Sequence, residues 1–326
     1  MKKTPSVQEI RSWLISKNPL GHFDNTECNI ENIDPRPWSG HFNYLITTSK
    51  FRAVLRFKGP EWGEPTQGIT DEYNILKTLE SYEIAPHAYY LDEQFFGEAV
   101  MLEEYMEGEI VNTLPYEIQQ QLFPDIARYI AKINMTPVGR DRIPHYELFT
   151  SYEVTKKEWR SRLDTAHNHP PSRGLALQIE SILPRAEAVL DRFEKRLTRV
   201  LAAVPPSLVF VSSHAGHCLK RTNDVRFFNW EQVSFGDPSY TLAVFLVSIK
   251  DQPNFKETKE VMIAAYLERN PVPEFAELVD QRLAEREIAN LTWSLWSHAT
   301  RQDERPAEET GTMRRFESVR AMLETI

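Results

Sequence analysis

Apolar positions Val7, Ile10, Trp13 and Leu14 recur at helical spacing, which predicts a helix over residues 6–17 closed by Pro19-Leu20-Gly21. After the turn-rich stretch Asp34-Pro35-Arg36-Pro37-Trp38-Ser39-Gly40, the pattern becomes strand-like. Phe42 to Thr48 and Phe51 to Phe57 flank the polar turn Ser49-Lys50, and Gly59-Pro60 follows, so the segment reads as a β-hairpin. Ile69 to Ser81 returns to helical spacing on Ile75, Leu76 and Leu79, with Ala85-Pro86 as its stop. Ala88 to Leu91 and Ala99 to Tyr105 are two further strands.

Past Met106-Glu107-Gly108-Glu109 the pattern changes. Residues 116–133, 152–164, 185–203 and 256–268 read as helices, and a last helical stretch, Phe275 to His298, resumes at Met313 beyond the polar segment 301–311. One β-type island interrupts them: Leu208-Val209-Phe210-Val211, followed across a polar turn by Val225 to Trp230. The expected organisation is an N-terminal α+β lobe over residues 1–106 and a larger, mostly helical lobe over 107–326 that carries a hairpin at 208–230.

Composition narrows the class. The 326 residues are 41% hydrophobic and 26% charged, a folded globular balance long enough for two domains. No apolar run is long enough to span a membrane, and the opening Met1-Lys2-Lys3-Thr4-Pro5 leads into polar sequence, so the expectation is a cytoplasmic protein with no membrane partner. Cys28 and Cys218 lie far apart, which suggests neither a disulfide framework nor a thiolate zinc site. A net charge of −9 repels a phosphate backbone and argues against nucleic acid as a partner. Neither G-x-x-x-x-G-K-S/T nor G-x-G-x-x-G occurs, which disfavours Walker-type and Rossmann sites.

The segment Phe228-Asn229-Trp230-Glu231-Gln232-Val233-Ser234-Phe235-Gly236-Asp237-Pro238-Ser239-Tyr240 is the most specific in the chain. It resembles the Ile-Asp-Trp-Glu…Gly-Asp-Pro-x-Tyr-Asp-Leu-Ala segment of the aminoglycoside phosphotransferase/choline kinase-like family. Val54-Leu55-Arg56 resembles the strand that carries a phosphate-contacting Lys or Arg, and Glu72 falls where the family's helix glutamate pairs with it. Ile126 to Asn134 resembles the helix that usually ends Leu-His, and Glu104-Tyr105-Met106-Glu107-Gly108 resembles the crossing between lobes. The resemblance covers nearly the whole chain. It implies a two-lobed protein-kinase-like α+β fold, with ATP or a related nucleotide as cofactor near Arg56, Glu72, Met101, Glu103 and Tyr105, and with the 208–230 segment facing Arg56 across a cleft.

The same resemblance exposes departures. The family's His-Gly-Asp-x-His-x-x-Asn becomes Phe210-Val211-Ser212-Ser213-His214-Ala215-Gly216-His217. Ser212 stands at the base, His217 and Asn229 at the two magnesium ligands, and Thr241 at the Asp after Tyr240. A serine has no useful basic form at neutral pH without a neighbouring base. Magnesium dehydrates reluctantly and needs carboxylates, for which an amide is a weak substitute. These departures imply a degenerate member, a pseudokinase that binds a nucleotide or other anionic ligand and acts by regulation or scaffolding, with little call for magnesium. Two alternatives stay open: an atypical small-molecule phosphotransferase with His217 and Asn229 as metal ligands, and an interaction module with an empty cleft. The small-molecule or protein partner is not written in the sequence.

Other readings of the same residues are open to test. His214, His217 and Cys218 suggest a metal cluster but lack a fourth ligand, and Cys218 reads better as a small buried residue. His214 stands where the family resemblance also places a histidine, which implies a structural hydrogen-bonding role. Ser212 as a nucleophile with His214 or His217 lacks the G-x-S-x-G elbow. Arg56 with Glu72 can also be an ordinary surface pair, although the family resemblance favours a place in the site. Trp159, Trp293 and Trp296 read as packing residues, and the acidic run Glu103-Glu104…Glu107…Glu109 as a solvated surface.

Overall fold

The computed structural model describes residues 5–21, 23, 28–33, 41–59, 68–95, 97–143 and 152–325. The expected turn at 34–40 and Pro60 lie outside them. In chain order the first elements are α1 (Val7–Lys17), β1 (Asn29–Asn32), β2 (His41–Thr47), β3 (Arg52–Lys58), α2 (Ile69–Leu79), β4 (Ala88–Phe95), β5 (Glu98–Glu104) and β6 (Glu109–Ile110). There follow α3 (Tyr116–Asn134), α4 (Tyr152–His167), α5 (Pro170–Ala203), β7 (Ser207–Phe210), β8 (Cys218–Lys220), β9 (Val225–Phe227) and β10 (Val233–Gly236). The chain ends with α6 (Tyr240–Ser248), α7 (Phe255–Leu267), α8 (Phe275–Thr300) and α9 (Gly311–Thr325). No helix among the described residues is long and apolar enough to cross a membrane.

Two compact units account for the chain: residues 1–115, 136–146 and 216–233 form one, and residues 116–135, 147–215 and 234–326 the other. In the first, an antiparallel sheet runs in the order β1-β2-β3-β5-β4. The β2–β3 register sets Asn43 opposite Arg56, and β3–β5 sets Arg56 opposite Met101 and Val54 opposite Glu103. Alternation therefore puts Asn43, Arg56, Met101 and Glu103 on one face. The other face buries Tyr44, Leu55, Phe57 and Leu102 with Ile10, Trp13 and Leu14 of α1. Trp13 satisfies its indole by donating to Asp92 Oδ2 at 2.9 Å. Ser6 caps α1 through a capping box with Glu9, which accounts for its sharp start.

Beyond residue 107 two stretches differ from the sequence reading. The helix expected from Arg185 begins at Pro170: His169 is its N-cap, two prolines occupy the first turn where no N–H is needed, and the helix passes through Pro184. The 208–230 segment is not a hairpin. β7 pairs with β10, whereas β9 pairs with β8 and through it with β6, so the two apolar runs belong to separate sheets. Trp159 is fully buried, as a packing residue should be, but Trp293 is 44% exposed on α8. The acidic run also divides: Glu107 and Glu109 are exposed, while Glu103 and Glu104 are half-buried.

Candidate functional site

A glutamate on α2 and a guanidinium on β3 anchor the first unit's site. Arg56 Nε donates to Glu72 Oε2 at 2.8 Å, with both side chains buried (6% and 1% exposed), so the surface-pair reading does not apply. The rest of the guanidinium is also engaged. Nη1 donates to Asn43 Oδ1 at 3.2 Å, and Nη2 lies 3.1 Å from His41 Nδ1 and donates to Asn229 Oδ1. Because a guanidinium only donates, Nδ1 of His41 must accept, which leaves that ring's proton on Nε2. Nε2 lies 3.5 Å from Glu231 Oε2, which is itself 3.9 Å from Arg56 Nη2. Glu72 Oε1 and Glu231 Oε2 are buried without a hydrogen-bond donor among the described residues.

Three carboxyl groups thus act on one guanidinium. Burial opposes the charge of Arg56, but Glu72, Glu103 and Glu231 hold its pKa above the usual arginine value. Burial, reinforced by Glu72 and opposed by Arg56, pushes Glu103 up to about 8. Glu231 is also raised, by burial first. Below pH 8 Glu103 is therefore largely a neutral acid, and the charge of Arg56 is balanced mainly by Glu72. Met101 is buried opposite Arg56, and Tyr105 lies with its ring centroid 4.0 Å from the Arg52 guanidinium rather than against Arg56.

The β8–β9 pair brings the two sequence-predicted metal positions together. Phe228 N donates to His217 O at 3.0 Å, and the His217 and Phe228 rings meet edge-on at 5.3 Å. Trp230 is buried and ties the turn by donating from Nε1 to Phe227 O at 2.8 Å. Asn229 follows the strand with φ 66°, the left-handed region that asparagine tolerates better than most residues. Its Oδ1 faces Arg56 and its Nδ2 donates to Glu231 Oε1 at 3.5 Å. These donors do not fit a magnesium ion: an amide oxygen already accepts from a cation, and the partner position is an imidazole. Among the described residues no group of three or more His, Cys, Asp and Glu side chains could hold a metal, so the His214/His217/Cys218 cluster also falls away. Cys218 is buried, and burial raises its thiol pKa far above the usual range.

Ser212 lies in the helical unit, just past β7. Its carbonyl accepts from His214 N at 2.9 Å, and the half-buried His214 is held below the ordinary histidine pKa by burial. Thr241 is fully buried: its Oγ1 accepts from Phe210 N at 3.1 Å and its carbonyl accepts from Ser213 Oγ at 2.7 Å. Thr241 therefore fixes the strand that leads to Ser212. Asn134 secures the other side, donating to Leu208 O at 2.6 Å and accepting from Tyr266 Oη at 2.9 Å. Asp237 accepts from Ser239 N and Oγ through Oδ1 and from Arg282 Nε at 2.9 Å through Oδ2.

His41, Asn43 and Arg282 were not singled out by sequence. Asn43 had a signal, a polar residue inside an otherwise apolar strand that pairs with Arg56 across a two-residue turn. His41 and Arg282 reach their partners only through tertiary folding.

The profile of the phosphotransferase enzyme family, APH, matches residues 35–279, and the chain belongs to that family. Solved structures share its kinase-like fold, an N-terminal antiparallel sheet followed by a mostly helical region. Choline kinase from Cryptosporidium parvum Iowa II is 13% identical, with TM-score 0.70 over 98% of this chain and 96% of that one. Choline kinase LicA from Streptococcus pneumoniae is 17% identical, with TM-score 0.66 over 98% and 99%. Spectinomycin phosphotransferase APH(9)-Ia, solved with ADP and spectinomycin, is 12% identical, with TM-score 0.60 over 98% and 95%. No curated protein matches the sequence.

Proposed function

We propose that this phosphotransferase-family chain is a pseudokinase, which binds a nucleotide or another anionic ligand at the Arg56 face and acts by regulation or scaffolding without transferring phosphate. The observation that carries the reading is the contact between Asn229 Oδ1 and Arg56 Nη2. Where the family resemblance implies a carboxylate facing a metal, a neutral amide faces a guanidinium. An anion oxygen can replace that amide as the acceptor at Nη2 with no metal between them. Glu103, protonated below about pH 8, does not repel it. Ser212 supplies no base for a substrate hydroxyl. A nucleotide is the favoured ligand because spectinomycin phosphotransferase was solved with ADP and with AMP.

Calorimetry with ATP, with and without Mg²⁺, tests the proposal. Binding that is indifferent to metal, without ATP consumption, is expected. Binding and turnover that require metal and vanish in Asn229→Ala would replace this reading with an atypical kinase, and no binding in either condition would leave an interaction module.

A further inference from the structure

Away from the Arg56 face, the helical unit buries a chain of three side chains. His169 Nδ1 lies 2.9 Å from Ser172 Oγ, which lies 2.9 Å from His298 Nδ1. His169 is the N-cap of α5, Ser172 is in its first turn, and His298 is in the last turn of α8. Ser172 is fully buried and the two imidazoles nearly so, which rules out attack by that hydroxyl on a substrate.

Proton counting orients the chain. One hydroxyl brings a single proton, so one imidazole Nδ1 must accept from Ser172 and the other must donate to it. His298 Nε2 lies 3.9 Å from Asp303 Oδ2, and a proton on that nitrogen faces the carboxylate. His298 Nδ1 is then the acceptor, and His169 Nδ1 the donor. The bonds run from His169 to Ser172 to His298.

The same groups hold down the segment that joins α8 to α9. Asp303 N donates to His298 O at 3.2 Å, and Arg305 grips the Asp303 carboxylate from Nε at 3.0 Å and Nη2 at 2.5 Å. Further along, the Glu308 carboxylate lies over Gly174 of α5, where a Cβ would make that side chain shift. We propose that His169, Ser172 and His298 form a proton-sensitive clasp, which holds the end of α8 and the 301–310 segment on the start of α5 and releases them on acidification.

Protonating His298 at Nδ1 turns its acceptor into a donor, leaving the Ser172 proton without its acceptor in a dry site. Burial is the largest influence on His298 and keeps the ring neutral; Asp303 and a backbone hydrogen bond with Arg305 favour the cation, while the charges of His169 and Arg305 oppose it. Arg173, whose Nε donates to His167 O at 3.0 Å, Glu308 and the His167–Glu180 pair, at 3.4 Å, are other charged groups near the start of α5. A histidine favoured as neutral in the folded state keeps the clasp shut above its ordinary pKa of about 6.5 and weakens it as pH falls.

Hydrogen exchange of the full chain at pH 7.0 and 5.5, corrected for intrinsic rates, tests this. Peptides covering 170–176 and 299–310 should lose protection about tenfold at the lower pH, the worth of one buried hydrogen bond, relative to the rest of the chain. His298→Gln, which removes the titrating group, should abolish that difference. Equal protection at both pH values, or an unchanged difference in His298→Gln, overturns the proposal. Imidazole ¹⁵N spectra of the unmodified protein do not depend on a variant folding. They should show His298 as the Nε2–H tautomer and His169 carrying Nδ1–H at pH 7.0, and the opposite pair also overturns it.

Discussion

Asn229 and Arg56, 173 positions apart in sequence, meet through a hydrogen bond from the guanidinium to the amide oxygen. On the proposed pseudokinase reading, the departure that the family resemblance implies at position 229 is more than the loss of one carboxylate, because the guanidinium spends a donor on the asparagine side chain. Nε, Nη1 and Nη2 are all engaged by protein acceptors. These acceptors take four of the five N–H groups, so an incoming anion has one further Nη1–H and must compete for the rest, and a metal finds no carboxylate at this position.

Phosphate transfer to choline, an aminoglycoside or a similar alcohol is therefore expected to fall far below the 1–100 per second usual for kinases. Asn229→Asp alone should not create metal-dependent nucleotide binding, since His217 and Ser212 remain. The triple change Ser212→Asp, His217→Asn and Asn229→Asp should create it. Calorimetry with ATP and Mg²⁺ on both variants checks this, and metal-dependent binding by the single variant counts against it.

Arg56→Ala strands the Glu72 carboxylate, whose side chain is 1% exposed. Breaking one partner of a buried pair costs about 3–5 kcal/mol, whereas removing both charges together costs much less. Urea denaturation should show Arg56→Met/Glu72→Met to be more stable than Arg56→Ala. The reverse order would mean that solvent reaches the pair.

Glu103 makes stability fall with rising pH. Its folded-state pKa is about 8 against an ordinary carboxylate value of 4.5, so the folded chain holds a proton that the unfolded chain releases. The contribution is fully present below about pH 4.5 and is lost by about pH 8, with a slope of at most about 1.4 kcal/mol per pH unit. Glu103→Gln should flatten that slope and be more stable than the unmodified chain at pH 8.5. Denaturation at pH 5.5, 7.0 and 8.5 measures it.

Thr241→Val removes the acceptor of Phe210 N at constant shape. A buried N–H left unsatisfied costs about 1–3 kcal/mol. Thr241→Ser should recover most of the loss, because only the hydroxyl is needed. If Val and Ser variants melt alike, the bond from Phe210 N contributes nothing measurable.

Local pattern was enough to read much of this protein. Alternation over 42–57 yields the β2–β3 hairpin and puts Arg56 on it, and helical spacing over 69–81 brings Glu72 to α2, because periodicity is set by neighbours within one turn or one strand. The departures that the family resemblance implies at Ser212, His217, Asn229 and Thr241 are read from residue type alone. Partners distant in sequence were not. Leu208-Val209-Phe210 offers the same apolar edge to Val225-Arg226-Phe227 as to Val233 to Gly236, and tertiary packing selects the second. The same holds for Asn229 on Arg56, for Arg282 on Asp237 and for His298 on Ser172. Each of these joins is a long-range polar contact, for Arg282 and Asp237 a buried ion pair, made where packed elements bring a donor and an acceptor together.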